Sequence, residues 1–356
     1  MRWKPIAVVF VGLIMVVLSG QFHGFHERLS NDEGVPFIRG ADISWLPQME
    51  QSGFQFYNPS GERADVLDLL KEKGINTIRL RTWVNPTNDR INGHCRAQET
   101  VEMAKRAQQK GMHIIIDFHY SDSWSDPGKQ VKPAKWVTYS FDRLKAEVYQ
   151  YTYGVLNELK LAGISPIMVQ IGNEINSGIL MPDGSSQNFK SLVELLNAGY
   201  DAVKQVNSQT AVMLHLSNGE DEGLYQWFFD GMTKNHARYD VIGLSFYPHW
   251  AKLPLDQAMK HLEVNMIRMN KRYGKKVLIA ETGGLDTKGA ETYRMLNRLL
   301  TMVRQVPLDN GLGVIYWEPQ AAFAWSGYRF SSFGADGKST KALDAFLDDA
   351  KRWDDR

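Results

Sequence analysis

Beyond residue 36 the chain alternates eight times between short, β-branched runs and longer amphipathic stretches. The strand-like runs are 37–44, 75–84, 113–121, 166–174, 210–219, 241–250, 277–284 and 312–320. Between and after them lie 62–73, 95–110, 140–162, 188–206, 220–235, 255–273, 290–306 and 340–352, whose apolar positions recur at helical spacing. Gly74, Gly111, Gly163 and Gly274 each close an amphipathic stretch just before the next strand-like run, as helix-ending glycines do. Eight strands, each followed by a helix, make a single-domain α/β fold of the (β/α)8 TIM-barrel type the economical solution. An open doubly wound sheet is the competing arrangement. It would carry a glycine-rich phosphate turn after its first strand, and Ala41-Asp42-Ile43-Ser44-Trp45 is not one.

In such a barrel the chemistry sits at the C-terminal ends of the strands, so those ends are where function is read. Two runs stop abruptly at a carboxylate: 166–174 at Glu174, preceded by Asn173, and Lys276 to Glu281. Paired carboxylates flanking a sugar–sugar bond are the machinery of glycoside hydrolysis. The other strand ends supply Asp42, Arg79, Arg81, Trp83, Asp117, His119, Ser217, Tyr247, His249 and Trp317 as candidate substrate-binding residues, with Trp124 and Trp325 on the following loops. Arg79, Arg81 and Trp83 share one strand face by the period of two. Arginines buried among carboxylates must be paired, which marks this face as more than structural. The long loops after strand 1 (45–61), after strand 3 (121–139) and at 318–339 emerge on the same side.

Roles follow from charge. A general acid must hold its proton at working pH and a nucleophile must not. Arg79 and Tyr247 are placed to keep Glu281 ionised, whereas Glu174 has only neutral Asn173 and His119 as neighbours. Glu174 is therefore expected as acid/base and Glu281 as nucleophile, with Asn173 donating to a sugar hydroxyl.

Composition narrows the field. A net charge of +1 offers no basic stripe, which excludes nucleic acid as an implied partner. No HExxH or tight histidine pair supports a metal, so no cofactor is expected. No GxSxG elbow is present. Cys95 is the lone cysteine, so no internal disulfide can form, and a buried thiol is its simplest reading. At the N-terminus Arg2 and Lys4 precede an apolar run from Ile6 to Leu18, closed by Ser19 and Gly20. Residues 1–20 read as a signal peptide or uncleaved signal anchor, 21–34 as a linker and 35–356 as the catalytic domain. The expected protein is a monomer, secreted or held in the periplasm or cell envelope, touching a membrane only through such an anchor.

The motifs together resemble the arabinogalactan endo-β-1,4-galactanases, a family of retaining (β/α)8 glycosidases. The matching stretches are Gly40 to Ser44, Thr77 to Pro86, Ile116 to Asp122 with Asp126 to Gln130, Gln170 to Glu174, Ser245 to Pro248, Ala280 to Thr282 and Tyr316 to Pro319. The resemblance implies a secreted enzyme that cleaves β-1,4-galactan, the type I arabinogalactan side chain of pectin. It also implies double displacement on Glu174 and Glu281. The chain departs from the family where Gly283-Gly284 replaces an aromatic residue and proline. Only Leu285 to Ala290 separates strand 7 from its helix, so a calcium-binding insertion is not expected there. Trp317 is expected to floor the subsite beside the scissile bond and Trp325 to stack on a more distant galactose. The alternatives are another β-1,4-glycanase, such as a mannanase or cellulase, and a non-catalytic carbohydrate-binding barrel.

Overall fold

The computed structural model describes residues 35–354. The signal and linker expectations for 1–20 and 21–34 lie outside the described residues. Eight parallel strands close on themselves: β1 (Ile38–Asp42), β2 (Thr77–Thr82), β3 (His113–Phe118), β4 (Met168–Ile171), β5 (Ala211–Leu216), β6 (Val241–Phe246), β7 (Lys276–Thr282) and β8 (Gly311–Trp317), with β8 pairing back onto β1. The barrel expectation holds.

Each strand is followed by its helix: α1 (Val66–Glu72), α2 (Ala97–Gln109), α3 (Phe141–Leu161), α4 (Phe189–Val206), α5 (Glu222–Lys234), α6 (Leu255–Tyr273), α7 (Gly289–Arg304) and α8 (Asp344–Trp353). Boundaries are set by local chemistry. The first helix starts at Val66, later than its apolar pattern, because the Asp65 carboxylate accepts from the Leu67 amide and caps it. Gly74, Gly111, Gly163 and Gly274 all take positive φ where helices end. The sequence reading missed two features of the upper loops. A short helix, Leu46–Gln51, follows β1, and a two-stranded ribbon, Gly178–Ile179 with Gly184–Ser185, follows β4.

Two apolar layers hold the barrel. The larger lies between strands and helices; the smaller fills the interior with Ile38, Ile115, Met168, Met213, Val241, Leu278, Ala280, Leu312 and Ile315. Above this plug the inward side chains turn polar.

Irregularities in β7 and β8 close the barrel. Leu244 pairs with Ile279 but Ser245 pairs with Glu281, so β7 carries one extra residue at its upper end. In β8 the register against β7 shifts between Gly311 and Val314, around Gly313 at φ +139°. A Cβ on Gly313 would stand 2.0 Å from the Ile38 carbonyl oxygen on the closing seam. Gly313→Ala should therefore cost at least about 3 kcal/mol in urea unfolding. Gly154, inside α3 with nothing within 4 Å of its would-be Cβ, should instead gain about 0.5–1 kcal/mol as Gly154→Ala. Similar values for the two variants would refute the assigned role of Gly313.

Candidate active site

Arg79 organises the polar end of the barrel. Its guanidinium, wholly buried, donates from Nη1 to Asp42 (3.1 Å) and Glu281 (2.9 Å) and from Nη2 to Asp117 (2.8 Å) and Asn173 (3.1 Å). Its Nε donates to Gln170 at 3.1 Å. Five acceptors from β1, β3, β7 and the β4 segment thus converge on one cation. Burial alone would lower the Arg79 pKa, but the carboxylates of Asp117, Glu281 and Asp42 more than reverse it, so the cation is permanent. The same cation holds Asp117 below the ordinary carboxylate range against its burial.

The two glutamates see different surroundings. Glu281 is buried, accepting from Arg79 and, at 3.3 Å, from the Tyr247 hydroxyl. Glu174 is partly open to the cleft, and Ser245 donates to it at 2.7 Å. The partner of Glu174 is thus Ser245, not Asn173 or His119 as the sequence suggested. Asn173 is engaged by Arg79 and by the Ser125 carbonyl oxygen. His119 accepts the Ser125 amide on Nδ1, which leaves Nε2–H to donate to Asp117 at 3.0 Å. Burial pushes the Glu174 carboxyl up to about 7, with the Ser245 hydrogen bond pulling against it. Burial also raises Glu281; Arg79 opposes that rise and the charge of Glu174 adds to it. His215, whose Nε2 meets Ser245 at 2.8 Å, is kept neutral by burial and by Arg79.

Backbone geometry aims these groups. Glu174 sits at φ 45°, ψ 54°, and Tyr120, Asn218 and Glu318 take left-handed φ at the ends of β3, β5 and β8. Such conformations persist only where the surroundings impose them. Beside Glu174, Gln130 Nε2 clamps the Asn173 carbonyl oxygen at 2.8 Å.

A second ion pair underlies an aromatic rim. Arg81 pairs with Glu318 and lies 3.6 Å from Asp42, while Glu318 also accepts the Trp45 amide. The Arg81 guanidinium lies 4.4 Å from the Trp124 ring and near Trp45 and Trp83. Trp124 and Trp317 remain partly exposed, edge to face at 5.9 Å. Trp83 and Trp325 do not. Trp83 is fully buried against His119 and Trp124. Trp325 is 6% exposed, its ring against Trp45 and covered by Arg90. The expected stacking of Trp325 on a distant sugar gives way to a loop pin. A single helical turn, Phe323–Ser326, rotates its indole inward and leaves Phe323 outside.

His249, a substrate-binding candidate, is exposed beside Phe330, while Asp117 pairs with Arg79 and His119. Ser217 accepts from Asn176 and lines the cleft beside Glu174. Gly283 admits the final loop, where a Cβ would meet the Phe330 carbonyl oxygen at 2.9 Å, and Gly284 admits α7, where a Cβ would meet Thr292 at 2.3 Å. The sequence reading left Gln170, His215, Ser245, Glu220, Trp250 and Glu318 out of its site. His215, Ser245 and Glu318 belong to the polar set that the barrel pattern picks out at the strand ends, but not to the residues chosen from it as the site. Trp250 closes the 241–250 run and Glu220 opens the 220–235 stretch, and neither period marks them out.

The sequence model described as Glycosyl hydrolase family 53 matches residues 38–286 and 282–347. An endo-beta-1,4-galactanase of Bacillus subtilis is 33% identical, over 89% of this chain and 79% of its own length. The arabinogalactan endo-beta-1,4-galactanase A of Emericella nidulans is 34% identical, over 79% of this chain and 84% of its own. The solved Ignisphaera aggregans GH53 catalytic domain superposes with a TM-score of 0.78 at 32% identity, over 89% of this chain and 97% of that one.

The Arg79 network carries a stability prediction. Arg79→Met leaves Asp42, Asp117 and Glu281 buried without their shared cation and should cost about 3–5 kcal/mol in urea unfolding. Arg79→Lys keeps the charge without the fork and should cost less. Equal losses in the two variants would mean that packing, not charge, holds the site.

Proposed function

Since the chain belongs to glycosyl hydrolase family 53, and is a glycoside hydrolase, we propose that it cleaves β-1,4-galactan internally with retention of anomeric configuration. The observation that carries the assignment of roles is the asymmetry between its two glutamates. Glu281 receives a guanidinium hydrogen bond and Glu174 does not. Burial raises both carboxyls, but only Glu281 takes a direct guanidinium hydrogen bond that favours its charged form, so we assign the proton to Glu174.

In the first step the Glu281 carboxylate attacks the anomeric carbon while Glu174 protonates the departing sugar oxygen. Arg79 stays beside Glu281 throughout and takes the returning charge in the second step, when Glu174, now a base, draws the proton from water. Asn173, held by Arg79 and Gln170, retains amide donor capacity for the sugar hydroxyl next to the reacting carbon. Trp124 and Trp317 supply apolar faces for the sugars on the non-leaving side.

Fresh products followed by NMR should keep the β configuration. Glu281→Ala should lose nearly all turnover and regain it with azide as an inverted glycosyl azide, whereas Glu174→Ala should spare activated aryl glycosides. Swapped responses would reverse the two roles. A panel of galactan, arabinogalactan, mannan and cellulose separates galactanase from other β-1,4-glycanases, and preferred cleavage of mannan or cellulose would overturn the substrate.

The pH profile gives an independent check. A carboxyl group raised to about 7 that must be protonated sets the alkaline limb of kcat/KM near that pH. Ser245 stabilises the ionised form, so Ser245→Ala should raise the pKa and move that limb upward by about one pH unit. A downward shift would place the acid elsewhere.

We propose export as well, on the basic-then-apolar pattern from Arg2 to Gly20. Mass spectrometry of the mature N-terminus after expression with its own leader tests it, and an intact Met1 in the cytosolic fraction would refute it.

A further inference from the structure

His215 lies wholly buried near the end of β5, and the groups around it fix the role of each ring nitrogen. Arg79 has donors only, so the Gln170 amide must turn Oε1 to Arg79 Nε and Nε2 toward His215. The two Nε2 hydrogens then face three acceptors: the Gly172 carbonyl oxygen at 3.1 Å, Asn173 Oδ1 at 3.0 Å and His215 Nδ1 at 3.1 Å. On the other edge of the ring Nε2 meets Ser245 Oγ at 2.8 Å, and Ser245 donates to Glu174 Oε1 at 2.7 Å. A hydroxyl has one hydrogen to give. Once it is given to Glu174, Oγ must accept, so the ring hydrogen lies on Nε2 and the bare Nδ1 accepts from Gln170. Nδ1 also lies 3.0 Å from Asn173 Oδ1, to which an Nδ1–H would donate. That tautomer leaves Nε2 bare to take the Ser245 hydrogen, and sets Oγ against an ionised Glu174 with no hydrogen between them. A protonated Glu174 would fill the gap only by spending its hydrogen on Ser245. In the Nε2–H tautomer Oε1 is already an acceptor, so the hydrogen of the acid sits on Oε2 and is free for the sugar oxygen.

We infer that His215 is a positioning residue for the acid/base: held as its Nε2–H tautomer by Gln170, it fixes the Ser245 hydroxyl as a donor to Glu174 Oε1 and leaves the transferable proton on Oε2. The inference rests on Glu174 being the acid. Arg79 thereby reaches both glutamates, Glu281 directly and Glu174 through Gln170, His215 and Ser245. The imidazole stays neutral because burial and the charges of Arg79 and His119 disfavour its cation, against the pull of Asp117. Glu174 also feels Asp126 from the loop after β3, Glu281 from β7, Tyr225 from α5 and Tyr247 after β6. These groups act on it through space and are the same whichever nitrogen of His215 carries the hydrogen.

Histidine-selective 15N labelling with long-range 1H–15N spectra reads the tautomer in the wild-type enzyme, the His215 signals being those lost in His215→Gln. A neutral Nε2–H ring is expected on both sides of the alkaline limb; an Nδ1–H ring or an imidazolium overturns the inference. Kinetics supply the second arm. His215→Met removes the donor, whereas His215→Gln keeps an amide N–H for Ser245. On β-1,4-galactan His215→Met should lower kcat roughly tenfold with KM unchanged and raise the alkaline limb by about half a pH unit, since an unheld hydroxyl spends less time on Glu174. His215→Gln should recover most of both. In a Ser245→Ala background His215→Met should cost nothing further, because no hydroxyl is left to position. Additive losses in the two backgrounds, or a limb that moves in Ser245→Ala but not in His215→Met, overturn the role of His215 and leave Glu174 as the acid. A limb unmoved in Ser245→Ala itself would instead overturn that reading of Glu174.

Discussion

One buried guanidinium, that of Arg79, sets the terms for everything at the top of this barrel. Three carboxylates gathered with two amide side chains around one buried point would be intolerable in a dry interior without the fixed cation that all five bond. With it, Asp117 remains a charged strut, Asp42 is tied to the same guanidinium, and the charge of Glu281 has a permanent counterpart. Glu174, drawn from the same strand-end ring but tied only to Ser245, is left as the group whose proton is negotiable. The difference between the two glutamates is one of wiring, not of residue type.

The wiring demands backbone geometry that regular strands do not provide. In an unbroken β7 the alternation that turns Leu278 and Ala280 inward would turn Glu281 outward. The extra residue against β6 resets the alternation, so that Ala280 packs on the plug and Glu281 still reaches Arg79. Glu174, Asn218 and Glu318 enter the mouth by a different device, left-handed turns directly after their strands. The strain at these positions is supported from outside by clamps such as Gln130 and by the close packing of the final loop on Gly283.

The aromatic residues divide the cleft. Trp45, Trp124 and Trp317 stand over Arg81 and Glu318 on one side, while Trp250, braced on Tyr247 and Phe330, stands alone on the Glu174 side. The buried pair beneath the first group fixes its position through the Trp45 amide, which Glu318 accepts. The cleft is thus bordered by a broad tryptophan wall on one side and by a single braced indole on the other.

The linear chain determined the fold class, because eight alternations of period and eight breaks leave few other ways to bury every strand. It also picked out Glu174 and Glu281, since a carboxylate ending an apolar run is expensive unless the run ends at a polar mouth, and Arg79, since an arginine on an inward strand face needs partners there. What it could not carry was direction. Trp325 and Trp250 both lie beyond their strands in the fold, and no period said which way either indole would point. Only the turn at Phe323–Ser326 made one a buried pin, and only bracing by Phe330 made the other an open platform. Ser245, rather than Asn173 or His119, became the partner of Glu174 because the closed sheet brings β4 and β6 ends together across β5. Periodicity assigns a residue to a face; which groups meet across a closed barrel depends on register shifts and left-handed turns that no period encodes.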